Sequence, residues 1–193
     1  GNENITLKYT DSNIFANSEM TLDVYTQDIE NVFFFSPNLA NPDEGYDGGQ
    51  SIIRSEKRGA RATFNTAVDF DGVEATFIYG IDALKDTTSQ PLVDGRVWVP
   101  EMEMDSLAGF LQTKWVISDD VIVKAGVRRE SIDLSVDDYE TLKLCRSETQ
   151  CSVPLQVTGD TIDYDATTYN IAIKYNWSDS FSPFFNYSQG SDI

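Results

Sequence analysis

The stretch Asp71-Gly72-Val73-Glu74-Ala75-Thr76-Phe77-Ile78-Tyr79-Gly80-Ile81-Asp82-Ala83 decides the fold. Val73, Ala75, Phe77, Tyr79, Ile81 and Ala83 fall on one parity; Glu74, Thr76, Gly80 and Asp82 fall on the other, with Ile78 as an exception. Side chains of a strand alternate between faces, so this is a strand with one greasy and one wet side. Asp71-Gly72 is a type I′ hairpin signal. It folds the strand back on a preceding run in which Ala60, Ala62, Phe64 and Val68 oppose Arg61, Thr63 and Asn65.

The same pattern recurs outward in both directions, and helical periodicity is almost absent. Val121, Val123, Ala125 and Val127 oppose Lys124, Gly126, Arg128 and Glu130. Tyr169, Ile171, Ile173, Tyr175 and Trp177 oppose Thr168, Asn170, Lys174 and Asn176. The alternation predicts an all-β chain of eight strands, at 4–10, 20–34, 51–70, 73–87, 105–118, 121–135, 160–177 and 181–190. Several exceed the usual soluble strand of about 5–6 residues.

The connections alternate as well. Strands join through 11–19, Asp71-Gly72, Ser118-Asp119-Asp120 and Ser178-Asp179-Ser180, most of them short. The intervening connections, 36–50, 88–104 and 135–159, are long. Structureless loops of that length are uncommon in compact soluble domains. A transmembrane barrel, with short turns at one end and long loops at the other, predicts this asymmetry. Phe70, Trp115, Trp177 and Phe181 sit beside the short turns, where an interfacial aromatic girdle belongs. Lys114–Asp119 echoes Lys174–Asp179 sixty residues on, as one hairpin geometry used twice.

Composition narrows function. The chain has 193 residues, a formal charge of −18 and no histidine. That charge repels phosphate backbones, so nucleic acid is not an expected partner. His-based triads and the commonest metal ligand are excluded. The longest apolar run is Val32–Phe35, too short for a membrane helix. The even count and close spacing of Cys145 and Cys151 favour a disulfide over two free thiols, and two thiols without His make a poor zinc site. Phosphate loops, nucleophile elbows and dinucleotide fingerprints are missing. Asp119-Asp120, Asp137-Asp138 and Glu101/Glu103 read as solvated charge, so no enzyme activity is expected.

Three motifs carry a family resemblance. Tyr79-Gly80-Ile81-Asp82 with Lys85-Asp86 resembles the "YGxDxxxD" strand of TonB-dependent outer-membrane receptors. Lys124-Ala125-Gly126-Val127-Arg128-Arg129-Glu130 resembles their "KxGxRxE" strand, with Arg129 where Tyr is usual. Ser182–Gly190 resembles their "SPFxxYSQGF" hairpin arm, although Ser191 replaces the final aromatic. The likeness covers about residues 55–190. It implies that 1–193 is part of a barrel of about 22 strands, without the plug domain, and therefore an excised or trimmed piece. For the parent it implies a bacterial outer-membrane importer of ferric siderophore or a similar bulky ligand, energised through TonB, its apolar face meeting lipid.

Ligand contacts are expected in the long loops and upper lumen. Asp94-Gly95-Arg96-Val97-Trp98 places a cation beside an aromatic: Arg96 suits a carboxylate or hydroxamate oxygen, and Trp98 suits an apolar arm. Arg54 and Arg58 are further candidates, or else members of a lumen salt-bridge network with Glu74 and Asp82. Arg61, Lys124 and Arg128 belong to the same polar face. Asp43, Glu44 and Asp47 bunch in one loop, but their spacing does not match an EF-hand, so neither calcium nor another cofactor is expected. Asn-x-Ser/Thr sequons at Asn4, Asn176 and Asn186 read as chance matches. Two rival architectures are a complete eight-stranded membrane barrel with a structural or adhesion role, and a soluble β-sandwich binding module. First-to-last strand pairing marks the former and Greek-key pairing the latter. An open sheet would carry two unpaired edges prone to self-association.

Overall fold

The computed structural model describes residues 1–147, 150–178 and 180–190. Eight strands form one antiparallel sheet: β1 (Asn2–Phe15), β2 (Ser18–Val32), β3 (Ile52–Phe70), β4 (Val73–Pro91), β5 (Val97–Val116), β6 (Val121–Val136), β11 (Asp160–Tyr175) and β12 (Phe184–Gln189). Four short strands, β7 (Tyr139–Glu140), β8 (Cys145–Ser147), β9 (Gln150–Cys151) and β10 (Gln156–Val157), lie within the last long loop. The main sheet runs β1-β2-β3-β4-β5-β6-β11-β12. This is a meander, not a Greek key, so the sandwich fails. Among the described residues β1 and β12 occupy opposite edges and do not pair, so the sheet is not a closed eight-stranded barrel.

The expected strand bounds shift most at three hairpins. The first strand extends to Phe15, and its 11–19 connection shrinks to a turn at Ala16-Asn17. Asn17 takes the left-handed conformation (φ 59°) that Asn tolerates better than most residues. The fifth strand begins at Val97, so the expected long connection 88–104 contracts to residues 92–96. Asp94-Gly95 makes that turn, with Gly95 at φ 94°. The last hairpin is looser than expected, since β11 stops at Tyr175 and β12 starts at Phe184. Asp71 and Gly72, by contrast, both adopt positive φ, 53° and 94°, as a type I′ turn requires.

The register is unbroken along β2–β3 and β3–β4, so parity assigns every side chain to a face. One face carries a band that crosses all eight strands. Leu7, Val24, Ala60, Ala83 and Leu107 form one row of it, and Tyr9, Leu22, Ala62 and Ile81 form the next. Leu111, Val127, Tyr169 and, one row on, Tyr187 continue it to β12. Large members are exposed: Leu7 69%, Ile81 61%, Leu107 61%. The band runs on β4 from Val73 to Ala83, ten residue steps, or about 33 Å of strand. A strand tilted about 40° makes that about 25 Å tall, the thickness of an outer-membrane apolar belt. Aromatic contacts gather at its turn-proximal edge: Phe70 stacks on Trp115 at 5.7 Å, Phe77 meets Trp115 edge-on, and Tyr175 meets Trp177.

The opposite face is polar at mid-strand and more enclosed, holding the buried residues Asp82, Ser106, Ala108 and Ile132. Nearer the loop end of β5 and β6, both faces invert. On β5 the parity that carries Leu111 and Leu107 continues with Asp105 and Glu103, while Met104 and Met102 succeed Ser106 on the other. On β6, Asp133 follows Val127 and Ser131, while Leu134 and Val136 follow Ile132.

A loop cap above a polar wall

Two assemblies dominate the polar side. The first is an ion cluster at mid-strand. Asp82 accepts from Arg61 at 2.5 Å and lies 3.5 Å from Arg128, which pairs in turn with Glu130 at 3.2 Å. Glu130 also accepts from the Ser106 hydroxyl. Register explains the meeting: Arg61, Asp82, Ala108 and Glu130 stand directly opposite one another on β3–β6. The small Ala108 leaves space between the two carboxylates. Arg54 and Arg58 do not join this network, contrary to one expectation. They share the parity of Ala60 and Ala62, so they lie on the face of the apolar band. Arg54 pairs with Glu30 at 3.1 Å and Arg58 with Glu56.

The glycines of the two strand motifs have a steric role. Gly80 stands opposite Phe110, and a Cβ there would lie 2.0 Å from the Ala62 carbonyl oxygen and 3.0 Å from the Phe110 ring. At Gly126 a Cβ would meet the Asn170 side-chain oxygen at 2.7 Å. Asp86, the second acid of its motif, pairs with Lys57 at 2.9 Å. Arg129, in the place usually held by Tyr, sits on the band's parity and turns toward Asp165 at 3.1 Å.

The second assembly is a cap made from three loops. Residues 33–51 continue the β2–β3 hairpin through Phe33 N–Ser51 O (2.9 Å) and Ser36 N–Gly49 O (2.8 Å), then fold through two short 3-10 turns, Pro37–Leu39 and Pro42–Glu44. Arg96, in the β4–β5 turn, ties this loop down. Its Nη1 donates to the Leu39 carbonyl at 2.7 Å and its Nη2 to the Gly48 carbonyl at 2.8 Å. Nε and Nη2 also grip the Asp94 carboxylate, at 3.1 and 2.7 Å. The guanidinium lies 3.9 Å from the centre of the Tyr46 ring. This fork holds the Asp94 carboxyl below the usual carboxylate range. The third loop attaches through Cys145 N–Ala40 O at 3.0 Å and through Lys143–Asp43. Within it, Cys145 and Cys151 form a disulfide closing the β8–β9 ladder.

Arg96 therefore spends its guanidinium on the protein: its side chain is 9% exposed. It also lines a cleft of about 500 Å³ between the loops, with Asn41, Glu44, Glu101, Asp137 and Lys143. Trp98 lies in β5 instead of a flexible segment and is 44% exposed. Sequence reasoning missed Tyr46, Leu39 and Gly48 as partners of Arg96, because two are backbone carbonyls with no residue-type signal. It also missed the apolar inner rows of Met102, Met104, Leu134 and Val136 at the loop end of β5 and β6, although parity counted along those strands would have found them. Among the described residues, no group of three or more acidic or cysteine side chains is arranged to hold a metal ion.

Comparison with known proteins matches this architecture. The ferric aerobactin receptor of Klebsiella pneumoniae is 22% identical over 213 residues, and the rhizobactin receptor of Rhizobium meliloti (strain 1021) 22% over 210. Each alignment covers 98% of this chain and 28% of the relative, so the chain spans little more than a quarter of those proteins. The open form of the ferric-catecholate import receptor Fiu from E. coli K12 superimposes with a TM-score of 0.72 at 10% identity, covering 100% of this chain and 36% of Fiu. The copper transporter OprC gives 0.74 at 12% identity, covering 97% and 31%. The model of the TonB-dependent receptor-like β-barrel matches residues 2–192, and with the meander, the apolar band and the polar wall it establishes that this chain belongs to the TonB-dependent receptor β-barrel family.

Proposed function

We propose that the chain forms part of the barrel wall of a bacterial outer-membrane receptor that imports a ferric siderophore, with energy delivered through TonB. The observation that carries this reading is the pairing of a membrane-height apolar band with a loop cap over a polar, ion-paired inner wall. The names of the two curated relatives, receptors for ferric aerobactin and rhizobactin, supply the ligand class. In this reading the cap faces outward, and the cleft beside Arg96 with the Met102/Met104 wall below it receives the ligand. Trp98 stands at the cap's edge as an apolar contact, and Arg96 shapes the cleft. Arg54 and Arg58 take no part in the lumen. The barrel supplies capture and a passage, and no bond is made or broken in the ligand.

Uptake of radiolabelled ferric aerobactin and ferric rhizobactin by cells with and without the receptor tests this, together with quenching of the purified receptor's tryptophan fluorescence. Saturable quenching, reduced by Trp98→Phe, and uptake lost on deletion are expected. Unchanged uptake of both chelates, with no saturable quenching, overturns the reading.

A further inference from the structure

Lys114, Lys124 and Lys174 gather at one corner of the inner face, beside the short turns. Lys114 stands directly opposite Lys124 on β5 and β6, and Lys124 directly opposite the small Ala172. Lys174 lies two residues on from Ala172 along β11. The parity of the three is that of Gln112, Gly126 and Asn170 in the polar wall, not that of Leu111, Val127 and Tyr169 in the band. They line one hollow of about 310 Å³, with Ile122 and Phe184 as its apolar shoulder.

Cations elsewhere on the chain are matched. Lys57, Lys85 and Lys143 each pair with a carboxylate, and Lys8 stands directly opposite Asp23. Among the described residues the ammonium groups of Lys114, Lys124 and Lys174 have no partner. Glu74, opposite Val116 and therefore diagonal to Lys114, does not pair with it. Like charges directly opposite on one face destabilise a sheet, so the Lys114–Lys124 pair carries a standing cost. In a chain of net charge −18, this corner is a local reversal of sign with nothing on its own wall to answer it.

We propose that this corner anchors a carboxylate-bearing segment of the same receptor, from outside residues 1–193, against the inner wall. The chain spans 28% of the curated relatives it matches, so most of such a receptor lies outside it. The repulsion between Lys114 and Lys124 acts continuously, so its counter-charge is a resident group, which a passing ligand is not. A tethered carboxylate meets the site at a high effective concentration, which a dilute free anion does not. Ile122 and Phe184 give the segment an apolar shoulder to pack on. The inference rests on the chain being a barrel wall and is independent of which ligand the receptor imports.

The test is zero-length carbodiimide cross-linking of the whole receptor in detergent, with the joined peptides identified by mass spectrometry. Amide links from Lys114, Lys124 or Lys174 to Asp or Glu outside residues 1–193 are expected. Raising the salt from about 0.1 M to about 1 M shortens the screening length from about 10 Å to about 3 Å and is expected to reduce these links severalfold. Lys124→Glu is expected to lower the links from Lys114 and Lys174 about threefold, and Lys124→Arg to leave them unchanged. Lys124→Gln, with a loss of about twofold, serves if the Glu variant fails to fold. Acetylation of the three amines, with and without inorganic phosphate or ferric aerobactin, separates the other occupants. Links confined to acids within 1–193, such as Glu74, or shielding that appears only with phosphate or only with ferric aerobactin, overturns the proposal. A receptor that takes up neither ferric aerobactin nor ferric rhizobactin would still show the expected links, so the two readings fail separately.

Discussion

Replacing Arg96 with Ala should release the loop cap while leaving the barrel wall intact. The side chain makes charge-assisted bonds to the Leu39 and Gly48 carbonyls at 2.7 and 2.8 Å, and grips Asp94 with two nitrogens. Hydrogen bonds to a charged group are worth about 1.5–3 kcal/mol each in buried settings. The carbonyls regain water when the loop opens, so the lower end applies to each. The Asp94 pair is partly exposed and adds up to about 1 kcal/mol, and the Tyr46 ring, 3.9 Å from the guanidinium carbon, adds about 0.5–1 kcal/mol. These contributions overlap, because one rigid group makes them all, and about 3 kcal/mol is the expected local loss. That corresponds to about a hundredfold rise in local opening. Hydrogen exchange of the receptor in detergent micelles reads it directly, since the amides of Ser36, Asn41, Tyr46 and Gly49 close the hydrogen bonds of the tethered loop. Their protection should fall about a hundredfold in Arg96→Ala and by less in Arg96→Lys, whose ammonium cannot make the fork. β5 and β6 should not change. Unaltered loop protection in Arg96→Ala would refute the reasoning and return Arg96 to the role of a ligand contact alone.

Four further outcomes are expected. Leu111→Arg, at the middle of the band on β5, should cost about 2–4 kcal/mol in vesicle refolding by urea titration, while Asp105→Arg, above the band, should cost much less. Asp82→Ala strands Arg61 and leaves Arg128 with Glu130 alone, and should lower stability by about 2–3 kcal/mol in thermal unfolding in detergent, less than a fully buried pair because Arg61 is half exposed. Asp94 is held below its ordinary value of 3.8 by Arg96, so its contribution is complete at neutral pH and is lost as the pH falls from 3.8 through the folded value. Pepsin cleavage of the 33–51 loop should therefore rise over that acid range in the native protein and show little pH response in Asp94→Asn. Cys145→Ser/Cys151→Ser opens a ring with a sequence separation of 6, worth about 2 kcal/mol on loop entropy; faster proteolysis within 137–159, with unchanged unfolding of the sheet, is the expected readout.

The faces were legible because parity survives without interruption along β3 and β4. The family motifs were legible as strings, but their meaning was not. Asp82 and Arg128 are 46 residues apart, and only the register that places Asp82, Ala108 and Glu130 in one line turns two motifs into one ion cluster. The same parity rule, applied to Arg54 and Arg58, would have placed them with Ala60 on the band face. They were misread because chain proximity to Arg61 was taken for facial proximity. The 92–96 turn was hidden by Pro91 and Pro100, which look like loop punctuation, although Asp94-Gly95 carries the same signal as Asp71-Gly72. The Arg96 tether could not be read at all, since its main partners are carbonyls set in place by two proline-initiated 3-10 turns.

The inversion of the two faces along β5 fixes how the wall stands in its membrane. A strand that kept one pattern throughout its 20 residues would be about 66 Å long, or about 50 Å tall at the tilt of a barrel. Only about two fifths of that height has an apolar outer side, from Leu107 to Trp115; beyond Leu107 the outer side becomes Asp105 and Glu103. Charged outer rows belong in water or among headgroups, so about half of the strand projects past the apolar belt and carries the cap with it. The inner side changes in the opposite sense at the same level, from Gln112 and Ser106 to Met104 and Met102. Water outside and a sheltered vestibule inside are the two environments that would select such a switch. A chain with a net charge of −18 and no long apolar run can thus line a membrane, because most of its acids lie in the loops, on the inner face, or in the outer rows past the belt.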